Sequence, residues 1–340
     1  MDSLTQIVLG AACGEAVLGR KIGNKALLFG AIGGTIPDLD VFAGAILFKN
    51  EIDAMLFHRG FMHSILFSIL GAFLFGWLAY KLYNTKKRIN TTTRVDWQKL
   101  FFWSLLTHPI LDCFTPYGTQ LFAPFFNYRV AFNNISVADP FYTVPFLLSI
   151  IIVMFYNRNN EKRRFWLKMG IGVSSVYMVF TIFNKLYIDN VFKNSLKESN
   201  ISFTRYSTQP VILNNVLWYG IAETTRNYYV GFYSLLDQQR RVLDWKEIPK
   251  NRALTPEEYQ DISDLAWFSN GYYNVEPMAN DEFLYKDLRY PMVQTEEGYK
   301  AIFNLKLYKD HNRLNMIPFE SNIDDAGKVM SQLWIRLKGK

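Results

Sequence analysis

At 340 residues the chain has room for one large domain or two ordinary ones, and half of it is hydrophobic while its mean hydropathy is only −0.01. That balance implies a greasy part beside a polar part, and the net charge of +7 sits largely in short clusters beside apolar runs, where charge sets membrane orientation; no nucleic-acid partner is expected. Two cysteines, Cys13 and Cys113, exclude a disulfide framework and match no zinc-finger spacing, so both read as buried free thiols.

The opening Met1-Asp2-Ser3-Leu4 lacks the basic start of a cleavable signal peptide, so the first helices are expected to persist. Residues 4–19 and 26–36 read as two short helices whose Gly and Ala content permits close packing. A bilayer span needs about 20 mostly apolar residues. Residues 64–83 meet this with no charge before Lys81. Residues 100–111 are apolar but interrupted by Thr107, His108 and Pro109, and 141–156 and 169–183 are shorter runs that can be completed by their flanks. Basic clusters follow in alternation: Arg20, Lys21 and Lys25; Lys86, Lys87, Arg88, Arg94 and Lys99; Arg158, Lys162, Arg163, Arg164 and Lys168. Positively charged loops stay in the cytoplasm, which leaves the poorer loops, within 38–62 and 113–138, outside. From about residue 190 the pattern changes. Residues 214–225, 227–236 and 299–308 suit strands, and 256–268 suits a helix with Thr255 as N-cap and Glu258 at the capping-box position. The expectation is a mainly α protein: a polytopic membrane helical bundle over 1–190, with a soluble α+β domain over 191–340. In chain order that domain follows an outward-going span, so it is expected to be extracytoplasmic.

Three of the four histidines lie in the membrane half. Asp38, Asp40, His58, His63, His108, Asp112 and Asp139 all fall near the outward ends of their segments, a grouping not used to choose the orientation. His108 and Asp112 are four apart, which on a helix puts imidazole and carboxylate on one face; Pro109 is expected to kink or start that helix. Asp38 and Asp40, two apart, point the same way if the loop is extended. If Gly60 ends a loop, His58 reaches back from it while His63 points from the first turn of the next helix. Imidazole and carboxylate together suit zinc, manganese or iron, and a metal makes carboxylates tolerable at the edge of an apolar bundle. Each residue also has a plainer reading. The histidines serve as interfacial polar groups, Asp38 and Asp40 as turn residues, Asp112 as a cap or as the partner of Arg59, and Asp139 as a helix cap. Arg59 itself is either a snorkelling anchor or a contact for an anionic substrate.

The ordered set of motifs resembles one family. Met1-Asp2-Ser3-Leu4-Thr5-Gln6, Gly10 to Gly19, Gly34-Thr35-Ile36-Pro37-Asp38-Leu39-Asp40, His58 to Ser64, Thr107-His108-Pro109-Ile110-Leu111-Asp112 and Tyr117 to Pro124 are similar to the membrane-bound metal-dependent hydrolases of the YdjM type, the LexA-binding inner-membrane hydrolases, over roughly residues 1–185. The resemblance implies a helical, multi-pass protein of the bacterial cytoplasmic (inner) membrane, distantly similar to zinc-dependent phospholipases C and P1-type nucleases. It carries metal-ligand roles onto Asp38, Asp40, His58, His63, His108 and Asp112. Relatives often have a histidine where this chain has Gln6, which lowers the ligand count or passes a role to Glu15, and often a threonine where it has Met62. The expected activity is hydrolysis of a phosphoester or a lipid-derived ester at the outer face. A divalent metal, zinc first, would activate water, with Asp38 or Asp40 as general base and Arg59 stabilising developing negative charge. The expected partners are the lipid bilayer and a small-molecule or lipid substrate. The rivals are a non-enzymatic membrane protein with a structural metal and a partner-binding C-terminal domain, and a transporter.

Overall fold

The computed structural model describes residues 1–295, 298–319 and 326–340. The chain divides into two compact units. The first comprises residues 1–44, 57–183 and 212–214; the second comprises 45–56, 184–211 and 215–340.

The first unit opens with α1 (Ser3–Ile22), capped by Asp2, whose carboxylate accepts from Thr5 N at 3.1 Å. Gly23, at φ +60°, turns the chain directly into α2 (Asn24–Thr35). The two helices meet on small residues. Gly10 and Gly14 of α1 face Gly30 and Gly34 of α2, and a Cβ added at Gly14 would come within 2.0 Å of the Ala26 carbonyl oxygen. Two Gly-x-x-x-Gly pairs thus bring the backbones together as the small-residue content predicts. A 3-10 turn (Ile36–Leu39) leads to α3 (Asp40–Leu47), then α4 (Glu51–Phe57), a short 3-10 turn (Phe61–His63) and α5 (Ile65–Tyr83), which is capped by Ser64 Oγ accepting from Phe67 N at 3.0 Å.

Next comes α6 (Arg94–Asp112), opened by a Thr93/Asp96 capping box, and it runs through Pro109 without a break. Pro109 therefore does not start the helix, which begins at Arg94. Pro109 lies within four residues of the helix end, so it forfeits one hydrogen bond and no following turn has to be rebuilt. Then α7 (Pro140–Met154) starts at Asp139, which accepts from Phe141 N at 3.0 Å and from the Tyr177 hydroxyl at 2.9 Å; the cap reading of Asp139 holds. The last helix of this half, α8 (Glu161–Glu198), is 38 residues long and passes from the first unit into the second. Arg163, buried near its start, is bidentate to Glu15 at 2.6 and 2.6 Å and donates to Asn24, Val153 and Tyr156, tying α1, α2, α7 and α8 together.

Among the described residues, three helical stretches are long and apolar enough to cross a membrane: Asn24–Leu47, Ile65–Tyr83 and Glu161–Glu198. Their outward side chains, such as Leu70, Phe73, Leu74, Val176 and Phe183, are exposed apolar groups, as lipid-facing positions require.

The second unit carries antiparallel sheets. One has the order β1-β2-β3-β4, from β1 (Arg205–Pro210), β2 (Leu217–Glu223), β3 (Asn227–Ser234) and β4 (Lys246–Pro249). After α9 (Gln260–Phe268) come β5 (Tyr273–Pro277), β6 (Phe283–Asp287), the pair β7 (Met292–Thr295) and β8 (Gly298–Ala301), β9 (Asn304–Asp310) and β10 (Arg313–Pro318). These form a second sheet, β10-β9-β6-β5, and the separate β7-β8 pair; α10 (Ala326–Leu337) follows. The strand expected over 299–308 is two strands, broken at Ile302–Phe303. The helix expected from 256 begins at Gln260, because Glu258 folds back to accept from Thr255 N at 2.7 Å and closes a turn ahead of it.

Residues 45–56 are built into this second unit. Ile52 is fully buried among Leu254, Ile262, Leu265, Val275 and Leu314. Asn50 Nδ2 donates to Leu314 O at 2.8 Å, Asn315 Oδ1 accepts from Glu51 N at 2.9 Å, and Arg313 is bidentate to Asp53 at 2.8 and 2.9 Å.

Candidate metal centre

Four of the sequence-selected residues converge in the first unit. Asp38 comes from the 3-10 turn after α2, His63 from the turn before α5, and His108 and Asp112 from the last turn of α6. One ligand atom from each lies within 4.8 Å of every other. The two imidazole Nε2 atoms are 3.2 Å apart. Asp38 Oδ1 is 3.3 Å from His63 Nε2 and 3.4 Å from His108 Nε2. Asp112 Oδ2 is 3.6 and 3.5 Å from the same two nitrogens. Four ligands tetrahedral about a zinc ion at ~2.0–2.1 Å are separated by about 3.3–3.4 Å along each edge. The five spacings that involve the imidazole nitrogens, 3.2–3.6 Å, lie close to that edge length, and the two carboxylates lie within 4.8 Å of each other.

The surroundings fit the same purpose. His108 Nδ1 is 2.6 Å from the Gly34 carbonyl oxygen, which only accepts, so the proton resides on Nδ1 and Nε2 presents its lone pair to the group. His63 Nδ1 lies 3.0 Å from Asp40 Oδ2, an ion-pair contact without the alignment of a hydrogen bond. Carbonyl or carboxylate behind the distal ring nitrogen is the usual support of a metal-binding histidine. Asp112 Oδ2 is buried and accepts no hydrogen bond among the described residues. A buried carboxylate oxygen left so is costly unless a cation faces it. Part of that charge is met by Arg59 Nε, 3.4 Å away, and by the Met1 amino group at Asp112 Oδ1.

Asp40 and His58 stand beside the group and not in it. His58 Nδ1 donates to Asp40 Oδ1 at 2.7 Å, and Asp40 Oδ2 accepts from Arg59 N at 3.0 Å. The two aspartates part company because Pro37-Asp38-Leu39-Asp40 is a 3-10 turn entering α3 and not an extended loop. Pro37 at the start of that turn favours helical φ. Arg59 is 5% exposed, so it is no snorkelling anchor. It stacks on Tyr117 at 4.7 Å, donates to Thr115 Oγ1 at 3.1 Å, and sits at φ +61°.

Two further residues complete the picture. Gln6 does occupy the site: its Nε2 donates to Asp112 Oδ1 at 2.9 Å and to His108 O at 3.2 Å, while its buried Oε1 has no partner among the described residues. Glu15 takes no role there, since Arg163 holds both of its oxygens. The Gly34 carbonyl behind His108 carries no side-chain signature, so motif reading passed over it. Thr115, whose hydroxyl donates to Asp112 O at 2.8 Å, lies only three residues past a flagged ligand.

Comparison with known proteins supports the membrane character. The chain is similar to the uncharacterized protein YfhP of Bacillus subtilis (strain 168), 30% identical over 162 residues, a stretch that is 45% of this chain and 46% of that one. The chain thus spans about half the length of that relative. No solved structure matches. The profile of the YdjM inner membrane proteins matches residues 1–188, more than half of the chain, with every residue of the metal group inside the match, and the chain belongs to that family.

Proposed function

We propose that this protein is a membrane-bound metal-dependent hydrolase acting on a phosphoester or a lipid-derived ester at the outer face of the bacterial inner membrane. The observation that carries the reading is the convergence of one ligand atom each from Asp38, His63, His108 and Asp112 within 4.8 Å of one another, beside a buried arginine. These four residues would hold the ion, with zinc favoured by the mixed nitrogen and oxygen donors. Bound there, such an ion supplies a water of lowered pKa and polarises the scissile group.

The chain's own residues divide the remaining work. Arg59, fixed by its stack on Tyr117 and its bond to Thr115, presents a guanidinium beside the ligands, suited to an anionic ester oxygen. Asp40 orients His58 through Nδ1, which leaves His58 Nε2, on a side chain 23% exposed, as the place to hold or release a proton. Asp40 is committed to His58 and to the Arg59 N–H, so its part is to position them.

A structural metal is the second reading, and closure of the four-residue set favours it, because structural zinc takes four protein ligands whereas catalytic zinc keeps an open position. Asp38, at 23% side-chain exposure against 0–1% for the other three, is the ligand that substrate or water can displace. Metal-loaded full-length protein assayed against phosphodiesters, phospholipids and simple esters separates the two. The hydrolase reading expects turnover that His58→Gln abolishes while bound metal and melting temperature stay at wild-type values. Fully loaded wild-type protein that turns over none of these classes would establish the structural role instead.

A further inference from the structure

The segment after α6 is unusually aromatic for a surface loop. In Leu121-Phe122-Ala123-Pro124-Phe125-Phe126-Asn127-Tyr128, the side chains of Phe125, Phe126 and Tyr128 are 73, 68 and 68% exposed, and Phe122 and Phe132 are exposed as well. Soluble surfaces rarely carry so dense an apolar patch without an occupant. The loop is not loosely hung. Thr119 and Val130 exchange backbone hydrogen bonds of 3.1 and 2.9 Å, Phe132 N donates to Cys113 O at 2.7 Å, and Gly118 turns at φ +79° where a Cβ would press on Arg129 and Ala131. The patch is held outward by its own framework.

Its depth follows from what it is tied to. Ile65 N donates to Leu121 O at 3.0 Å, and Ile65 is the first residue of α5, one of the three stretches able to cross a membrane. A residue bonded to the first turn of a span lies at the boundary between hydrocarbon and headgroups, where aromatic side chains concentrate. The patch therefore continues the lipid-facing surface of α5 around its end. The same loop reaches the metal group, for Gln120 N donates to Arg59 O at 3.0 Å, and the guanidinium groups of Arg59 and Arg129 both lie over the Tyr117 ring, at 4.7 and 4.9 Å. His63 is two residues from Ile65. The aromatic patch, the two guanidinium groups stacked on Tyr117 and the ligand cluster are thus joined through one stretch of backbone at the start of α5, and the positive charge there suits an anionic headgroup.

We propose that residues 121–132 form an interfacial wedge seated in the headgroup region of the leaflet next to the metal group, so that the site receives the headgroup of a membrane phospholipid from that leaflet. The substrate half of this proposal rests on the hydrolase reading above; the seat in the bilayer does not.

Full-length protein reconstituted in vesicles of phosphatidylethanolamine and phosphatidylglycerol tests both halves. A spin label on Phe126→Cys is compared by power saturation, with oxygen against a water-soluble nickel chelate, with labels on Lys86→Cys in a basic connection and Phe73→Cys on the exposed face of α5. The wedge places the Phe126→Cys label between these two references, with chelate access several-fold below that of Lys86→Cys. Access equal to Lys86→Cys overturns the proposal. In the second arm, Phe125→Ser/Phe126→Ser/Tyr128→Ser should lower the ratio of vesicle-phospholipid turnover to turnover of a water-soluble aryl phosphodiester several-fold. An unchanged ratio overturns the lipid-substrate half. If wild-type protein hydrolyses neither, the hydrolase reading falls and takes the substrate half with it, while the label still decides the wedge.

Discussion

The close approach of α1 to α2 at Gly14 gives a quantitative test of how the metal group is supported. At Gly14 in α1 an added Cβ would stand 2.0 Å from Ala26 O, 2.9 Å from Gly30 Cα and 3.0 Å from Ala26 C. All three atoms are backbone, so no side chain can rotate aside, and α1 and α2 must separate locally by about 1 Å to restore ordinary contact. Overpacking typically costs about 1–3 kcal/mol, and a fixed backbone neighbour puts Gly14→Ala at the upper end. Helix propensity returns about 0.5–1 kcal/mol, so the net destabilisation expected is about 2 kcal/mol. The separation also reaches the site, because α1 carries Gln6, which holds Asp112, and α2 carries Gly34, whose carbonyl accepts from His108 Nδ1. Gly172→Ala in α8 is the control: a Cβ there meets nothing within 4 Å, so propensity alone acts and the variant should be neutral or stabilised by up to about 1 kcal/mol. Thermal unfolding in detergent, followed by intrinsic fluorescence, reads both. Gly14→Ala unfolding at or above the wild-type temperature, as Gly172→Ala should, would refute the close α1–α2 packing.

Further outcomes follow from the second unit. Ile52→Ala removes a fully buried side chain from the β-sheet core and should cost about 2–5 kcal/mol, read as a lower unfolding midpoint and faster proteolysis between residues 45 and 56; an unchanged midpoint would mean that this stretch is not part of that core. Burial pushes the Asp237 carboxyl up, but the Arg336 guanidinium at 2.7 and 2.6 Å and the Ser234 and Lys340 N–H groups outweigh it and hold the pKa below the ordinary value. With the folded value depressed, the stabilisation is complete above the unfolded pKa of about 3.9 and is lost as pH falls through the folded value. Acid titration by circular dichroism should therefore show a shallower stability loss in Asp237→Asn than in wild type, and identical acid limbs would contradict the assignment.

How far the sequence reaches depends on whether the determining contact is local. His108 and Asp112 share a helix, so a spacing of four was enough to put them on one face. The small residues of α1 and α2 likewise announce a close helix pair through composition alone. Asp38 and His63 could be nominated by residue type, but their arrival within 3.3 Å of one another depends on chain paths far from either residue. Asp40 and His58 show the limit. Their types suit a metal as well as those of their neighbours do, and only the turn geometry at Pro37 sends Asp40 toward His58 and the Arg59 N–H. Residues 41–57 read as a plain external loop, because nothing local reveals that Ile52 is buried against α9 and β10 residues some two hundred positions later. The strands β2 and β3 were legible within a few residues because aromatic and β-branched runs stand between turn formers. α9 was misplaced at its start because Glu258 satisfies a turn as readily as a capping box.

Metal content measured on purified full-length protein, alongside His108→Ala and Asp112→Ala, tests the central claim most directly. Elemental analysis by mass spectrometry should find about one divalent ion per wild-type chain, in keeping with a four-ligand tetrahedral group, with zinc favoured by the donor set. Both variants should lose it while still inserting in the membrane and keeping wild-type helix content. Wild-type protein that binds no divalent ion, or variants that retain a full complement, would show that Asp38, His63, His108 and Asp112 meet only as a buried hydrogen-bonded ion network.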